Sequence, residues 1–442
     1  MVYAQEFHVG LQYDTIACRA NPEQSYALYL PSGYNSSEDN KYPVLYIFEP
    51  AARGSSAIKI FKPLAEEYGY IIIASNNSRN GSWDIVFDAA DAIFKDSYAR
   101  FKIDTTRIYL TGFSGGSRAA LTIASVTNRV KGVIGCGAGL SPLKNYHPTS
   151  KNTFVYYGLI GTRDMNYLEM ECIRGTLSGI NLKNRLHVFD GPHRWPPESA
   201  LSFAFDWMEI NAGNVAIVIK AKNKWLARAD SLFATEEYLL YQTEISDINT
   251  LFSESQFNNN QRLDSVLKYK AYKAEVNNRD KWQAREQEWR LKYLQGLTEL
   301  AFTKWAGTDS LFKDGIWWQN EVKMLNKYVK NKDLYKSRMA SRLLNMITAS
   351  CAETLWRYVQ QNDMVTAVNL TSLWLYINPE CIRPNWTAVR IYAMNKDRKK
   401  TIKYLKKVVD LGIKPTKAML KNPNLEFVKD TDAYVSLATL VQ

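Results

Sequence analysis

Seven short apolar runs in the first half of the chain limit its fold more than any other feature. They are YALYLP (26–31), VLYIFE (44–49), YIIIASN (70–76), RIYLTGF (107–113), VKGVIGCG (130–137), TFVYYGLIG (153–161) and RLHVFDG (185–191). Stretches with helical periodicity lie between them, near 57–67, 84–101, 116–126, 167–178 and 198–210. Strands apolar along their whole length are buried on both faces. Interleaved with helices, they form a mostly parallel sheet covered on both sides. Residues 20–212 therefore read as one α/β domain.

The rest of the chain has a different character. Of 14 prolines, ten lie at or before Pro197, and none falls between Pro197 and Pro379. The first 212 residues carry 20 Lys and Arg against 20 Asp and Glu, so the net charge of +12 belongs entirely to residues 213–442. A neutral, proline-punctuated half thus meets a basic, helix-favouring half near "NAGNV" (211–215), and residues 213–442 read as an all-α domain. Within it, Trp282, Trp289, Leu297 and Leu300 recur at helical spacing over 280–305, the pattern of a core-facing stripe. From Asn362 and from Lys396 two segments align at an offset of 34: Asp363 with Asp397, Ala367 with Thr401, Val368 with Ile402. That period resembles tetratricopeptide (helix–turn–helix) repeats over 337–442.

Composition excludes several classes. No apolar run approaches the length of a membrane span. Five scattered cysteines without a C-x-x-C pair argue against a disulfide framework or a zinc site, and four histidines fall in no ligand spacing. No cofactor or metal is expected. The basic residues of the second half are spread among 24 acids, and the densest cluster is only "KDRKK", which favours solvated helix faces over nucleic-acid binding. Attraction to an anionic polymer or a protein partner remains the expected use of that half. Residues 1–19 form an N-terminal segment. Val2, Ala4 and Gln5 match the small-x-small pattern before a signal-peptidase cut, although no charged and apolar leader precedes them. The expectation is a periplasmic or secreted protein, with a cytoplasmic one as the alternative.

The residues that carry chemistry cluster in "RIYLTGFSGGSRAAL" (107–121). Gly112 and Gly116 flank Ser114 as G-x-S-x-G at a strand-to-helix turn, the nucleophile elbow of α/β-hydrolases, with an ordinary capped turn as the bland alternative. A serine hydroxyl needs a base, and the base needs a carboxylate to hold its tautomer. After "YYGLIG" comes Asp164, and after "RLHVFDG" comes His193 in "GPHRWPP". Nucleophile, acid and histidine thus follow three predicted strands in the order Ser, Asp, His. Glu169 is the reserve acid. His187 sits within a strand and reads as structural, and His147 comes before the acid strand. For the oxyanion hole, the N–H of Gly115 is the expected first donor. Ala51 is the expected second, with Ala52 next, because Pro50 has no N–H.

"YALYLPSGYNSSEDNKYPVLYIF", "RIYLTGFSGGSRAALTIA", "GTRD" and "GPHRWPP" together resemble the polyhydroxybutyrate-depolymerase and feruloyl-esterase branch of the α/β-hydrolases over about residues 20–212. The resemblance implies ester hydrolysis by Ser-Asp-His chemistry on an ester substrate, including one carried on a polymer. Glu49-Pro50 stands where that branch has His-Gly, and Ser117 where a third glycine often follows the nucleophile. The alternatives are a serine peptidase with the same triad, or an interaction protein whose hydrolase half is a scaffold.

Overall fold

The computed structural model describes residues 7–37, 39–252, 259–302 and 315–441. The Val2-Ala4-Gln5 stretch and the last residues of the 280–305 segment lie outside them. The chain forms two compact units, Met1–Asn278 and Arg279–Gln442.

The first unit is built on one eight-stranded sheet: β1 (Gln12–Ala17), β2 (Ser25–Tyr29), β3 (Tyr42–Phe48), β4 (Ile71–Ser75), β5 (Ile103–Phe113), β6 (Gly132–Cys136), β7 (Val155–Gly161) and β8 (Asn184–Phe189). Their order is β1-β2-β4-β3-β5-β6-β7-β8. β2 pairs antiparallel with both β1 and β4, and every other pairing is parallel. This is the α/β-hydrolase fold. Helices α1 (Gly54–Tyr68), α2 (Trp83–Arg100), α3 (Gly115–Thr127) and α4 (Tyr167–Gly179) connect strands, and α5 (Glu198–Asn211) follows β8. Burial follows the sequence logic, since β4, β6 and β7 are buried along their whole length. Two apolar clusters fill the space on the sheet's faces. From β3 the chain turns to β4 on one side, and β5 lies on the other. The carboxyl ends of β3 and β5 are therefore neighbours at the point where strand order reverses, the usual ligand crevice of open α/β sheets.

Two expected boundaries move. The N-terminal segment 1–19 supplies β1, which carries no apolar run because only Ile16 of its six residues is buried. The first compact unit also runs on past the composition border at 211–215. Helices α6 (Val218–Ala234), α7 (Tyr238–Leu251) and α8 (Asn260–Lys268) pack onto it. Trp225, Ile245 and Ile248 are fully buried in the same cluster as Ile72, Tyr157 and Trp207. Charge fastens them as well. The buried Arg185 guanidinium on β8 donates to Glu244 on α7 at 2.6 Å, and Arg228 on α6 reaches the same carboxylate at 3.2 Å. Arg185 also lies over the Trp225 ring, 3.9 Å from its centroid. Local charge and proline content mark the change from loops to helices. The compact unit runs on to Asn278.

The second unit is helical. It begins inside α9 (Lys270–Phe302) and continues through α10 (Gly315–Val329), α11 (Leu334–Gln360), α12 (Met364–Ile377), α13 (Ile382–Met394), α14 (Arg398–Asp410), α15 (Lys417–Leu420) and α16 (Asp432–Thr439). The α9 stripe faces inward: Leu297 and Leu300 are buried, Trp289 stacks on Tyr328, and Trp282 donates its indole N–H to Asp333 at 2.9 Å. Residues matched at the 34-residue offset occupy equivalent places. Asp363 and Asp397 cap α12 and α14 through Thr366 N–H (3.0 Å) and Lys400 N–H (2.9 Å). Asn362 and Lys396 before them both have left-handed backbones, and Ala367 and Thr401 are both fully buried. No described helix is long and apolar enough to cross a membrane.

Candidate active site

Ser114 sits between β5 and α3 with φ 53° and ψ −122°, a conformation a non-glycine residue adopts only under constraint. The constraint is the close approach of strand and helix. A Cβ on Gly112 would strike the Gly116 carbonyl, and one on Gly116 would strike the Phe48 carbonyl of β3. The Ser114 N–H is tied to the Cys136 carbonyl at 2.8 Å. Ser117 is buried, and its hydroxyl donates to the Ala138 carbonyl at 2.6 Å, so the missing third glycine leaves this turn closed.

Three of the expected residues come together here. Ser114 Oγ lies 3.0 Å from His193 Nε2, and His193 Nδ1 lies 2.8 Å from Asp164 Oδ2 and 2.9 Å from Oδ1. Asp164 is buried, 1% exposed, in the loop after β7, and its Oδ1 also accepts from the Asn166 N–H at 2.9 Å. His193 is held over Phe113, ring centroids 4.5 Å apart. Its Nδ1 faces a carboxylate, so the proton belongs there, and Nε2 is left to accept from the serine.

The other titratable candidates are committed elsewhere. Glu169 pairs with Arg118, Nη2 to Oε2 at 2.7 Å, and accepts from the Gly139 N–H at 2.9 Å. His147 Nε2 faces the Ser141 carbonyl at 2.7 Å. His187 is fully enclosed beside the Tyr157 hydroxyl (3.2 Å), and burial, with Arg228, Arg185 and Lys224 nearby, holds its pKa well below 6.5.

The oxyanion side departs from expectation. Gly115 opens α3, where first-turn N–H groups have no helical acceptor. Ala51 does not offer a second free donor, because its N–H is bound to Glu49 Oε2 at 2.7 Å. The Ala52 N–H is taken by the Glu49 carbonyl at 3.1 Å, and Arg53 also reaches Glu49 through both backbone and guanidinium. The cause is the glutamate at position 49: a buried carboxylate at a strand end gathers the N–H groups around it. Asn80, which the sequence did not single out, lies beside the same point. The loop after β4 pairs with the loop after β3 through Ala51 and Arg79, and Asn80 N–H donates to the Pro50 carbonyl at 2.9 Å. The Asn80 carboxamide rests against Gly115, where any Cβ would collide with it. A cavity of ≈ 150 Å³ adjoins this point, lined among others by Arg79, Asn80, Trp83, Gly115 and Pro142. Only the missing side chain at Gly115, which leaves room for a neighbour, hinted at Asn80 in the sequence.

No protein-family model matches the sequence, and no curated protein does. Solved structures similar to the chain include S-formylglutathione hydrolase from Staphylococcus aureus as apoenzyme. It shows 14% identity and a TM-score of 0.38, with 46% of this chain and 99% of that one covered. A ferulic acid esterase shows 14% identity and a TM-score of 0.35, with 45% of this chain and 96% of that one covered. Inhibited esterase B from Lactobacillus rhamnosis shows 13% identity and a TM-score of 0.37, with 46% and 87% covered.

Proposed function

We propose that the chain is a serine hydrolase of carboxylic esters. The observation that carries this reading is the unbroken line from Ser114 Oγ through His193 to the buried Asp164. His193 Nε2 takes the hydroxyl proton as Ser114 Oγ bonds to the ester carbonyl carbon. Asp164 holds the imidazole tautomer and stabilises the imidazolium formed. The carbonyl oxygen becomes an oxyanion, met by the Gly115 N–H and the positive end of α3. Collapse breaks the bond to the alcohol oxygen, which leaves with the proton from His193. Water, deprotonated by the same nitrogen, then attacks the acyl-serine and releases the acid.

With the Ala51 and Ala52 N–H groups engaged by Glu49, Asn80 is the residue we assign as the second donor, through the Nδ2 amide of the carboxamide whose Oδ1 lies nearest Gly115. An asparagine side chain is chemically suited to that role. The polyhydroxybutyrate-depolymerase and feruloyl-esterase resemblance supports a carboxylic-ester substrate. In the second unit, the matched caps and turns at the 34-residue offset support the tetratricopeptide-like reading.

Ser114→Ala tests the assignment. Hydrolysis of p-nitrophenyl acetate is expected to fall on the order of 10⁴-fold or more with the circular dichroism spectrum unchanged, and labelling by a fluorophosphonate probe to disappear. Retention of more than about a tenth of the activity would remove Ser114 from the chemistry.

A further inference from the structure

The second unit contains a cavity of ≈ 530 Å³ formed by α11, α12, α13 and the segment after α14. Its walls include Trp356, Trp374 and Trp386 together with Arg383, Arg390 and Lys414, and no acidic residue lines it. Among the described residues, no carboxylate lies within ion-pair distance of any of the three cations. Arg390 is the most enclosed of them. Its guanidinium lies over Trp356, 3.9 Å from the ring centroid, and burial pushes its pKa below the ordinary arginine value. Arg383 lies 5.5 Å from the centroid of the buried Trp374.

An indole against one face of a guanidinium fixes that plane and leaves its N–H edge free. The edge is the fork that matches a carboxylate or phosphate in two parallel hydrogen bonds. Three positive groups lining one space without a counter-charge repel one another, and the partial burial of Arg390 raises that cost for it. A ligand that brings the missing negative charge relieves both. Two features define its class. The volume is that of a small-molecule pocket, roughly 300–1,000 Å³. The cations converge on one cavity rather than tracking a strip, as they would along a nucleic-acid strand. The indoles add flat apolar walls.

We propose that this cavity binds a small organic polyanion built on a ring, with two or three carboxylate or phosphate groups. The site shares no residue with the one around Ser114, and its ligand need not be a substrate.

Calorimetric titration of the full chain with benzene tricarboxylate and with adenosine diphosphate tests the proposal, and the two arms distinguish a carboxylate source from a phosphate one. Binding is expected for at least one of them, weakening steeply with added salt. The neutral analogues benzamide and adenosine are expected to give no signal. Arg383→Gln with Lys414→Gln, both exposed positions, is expected to weaken binding about tenfold or more while leaving the helical spectrum intact. Arg390→Gln provides an independent variant. Failure of both polyanions to bind at about 10 mM, a concentration that would fill a millimolar site, would overturn the proposal. Binding of equal strength in the wild type and both variants would overturn it as well.

Discussion

Arg185 and Arg390 are set against tryptophan in the same way, each 3.9 Å from an indole centroid, one in each unit. They differ in what completes them. Arg185 is met by Glu244 at 2.6 Å inside the first unit, whereas no carboxylate among the described residues lies within ion-pair distance of Arg390. A buried cation with its counter-charge built in joins two elements of the fold. A cation whose counter-charge is missing is poised for something the chain does not itself supply. The same contrast recurs within the first unit. The Ala51 N–H has its acceptor in Glu49, and the Asn80 carboxamide beside Gly115 has no hydrogen-bond partner among the described residues.

The largest expected effect breaks the completed pair. Glu244→Ala leaves the buried Arg185 with Asp247 alone, at 3.6 Å, and Arg228 with the Val188 carbonyl, and unfolding of the first unit should cost about 3 kcal/mol less. Arg390→Gln should change the stability of the second unit by about 1 kcal/mol, the size of a partly exposed cation–π contact. Denaturant melts of both variants make the comparison, and equal losses would abolish it.

Next in size is the unpartnered amide. Asn80→Ala should lower kcat on the order of 10²-fold with little change in KM, because an oxyanion donor acts in the transition state. An unchanged kcat would return the second donor to the loop after β3.

The smallest effect concerns a satisfied group, His187. Its folded pKa is depressed, so the unfolded chain takes up the proton first. The stability tied to the neutral ring is present above about pH 6.5 and is lost as pH falls below it. His187→Phe should flatten this slope in melts across a pH series while leaving turnover at pH 8 near wild type. An unaltered slope would show that other groups set the acid sensitivity.

The strands β2 to β8, the helices between them and the elbow at Ser114 were all legible from residue order. Each depends on spacing between near neighbours: β-branched runs for strands, amphipathic stretches for helices, and glycines two residues either side of the serine. Asp164 and His193 could also be found that way, since loops at the carboxyl ends of successive parallel strands must meet at one edge of the sheet. Contacts between distant segments left no such mark. β1 is a strand only because β2 offers it an edge, and α6 and α7 belong to the first unit because Trp225 and Glu244 find partners there, Arg185 lying 59 residues before Glu244. The capture of the Ala51 N–H by Glu49, the placement of Asn80 against Gly115 and the gathering of Arg383, Arg390 and Lys414 around one cavity depend on side-chain direction in three dimensions. Periodicity specifies which face of an element is buried. Which charged and polar groups find partners is settled only when those faces pack.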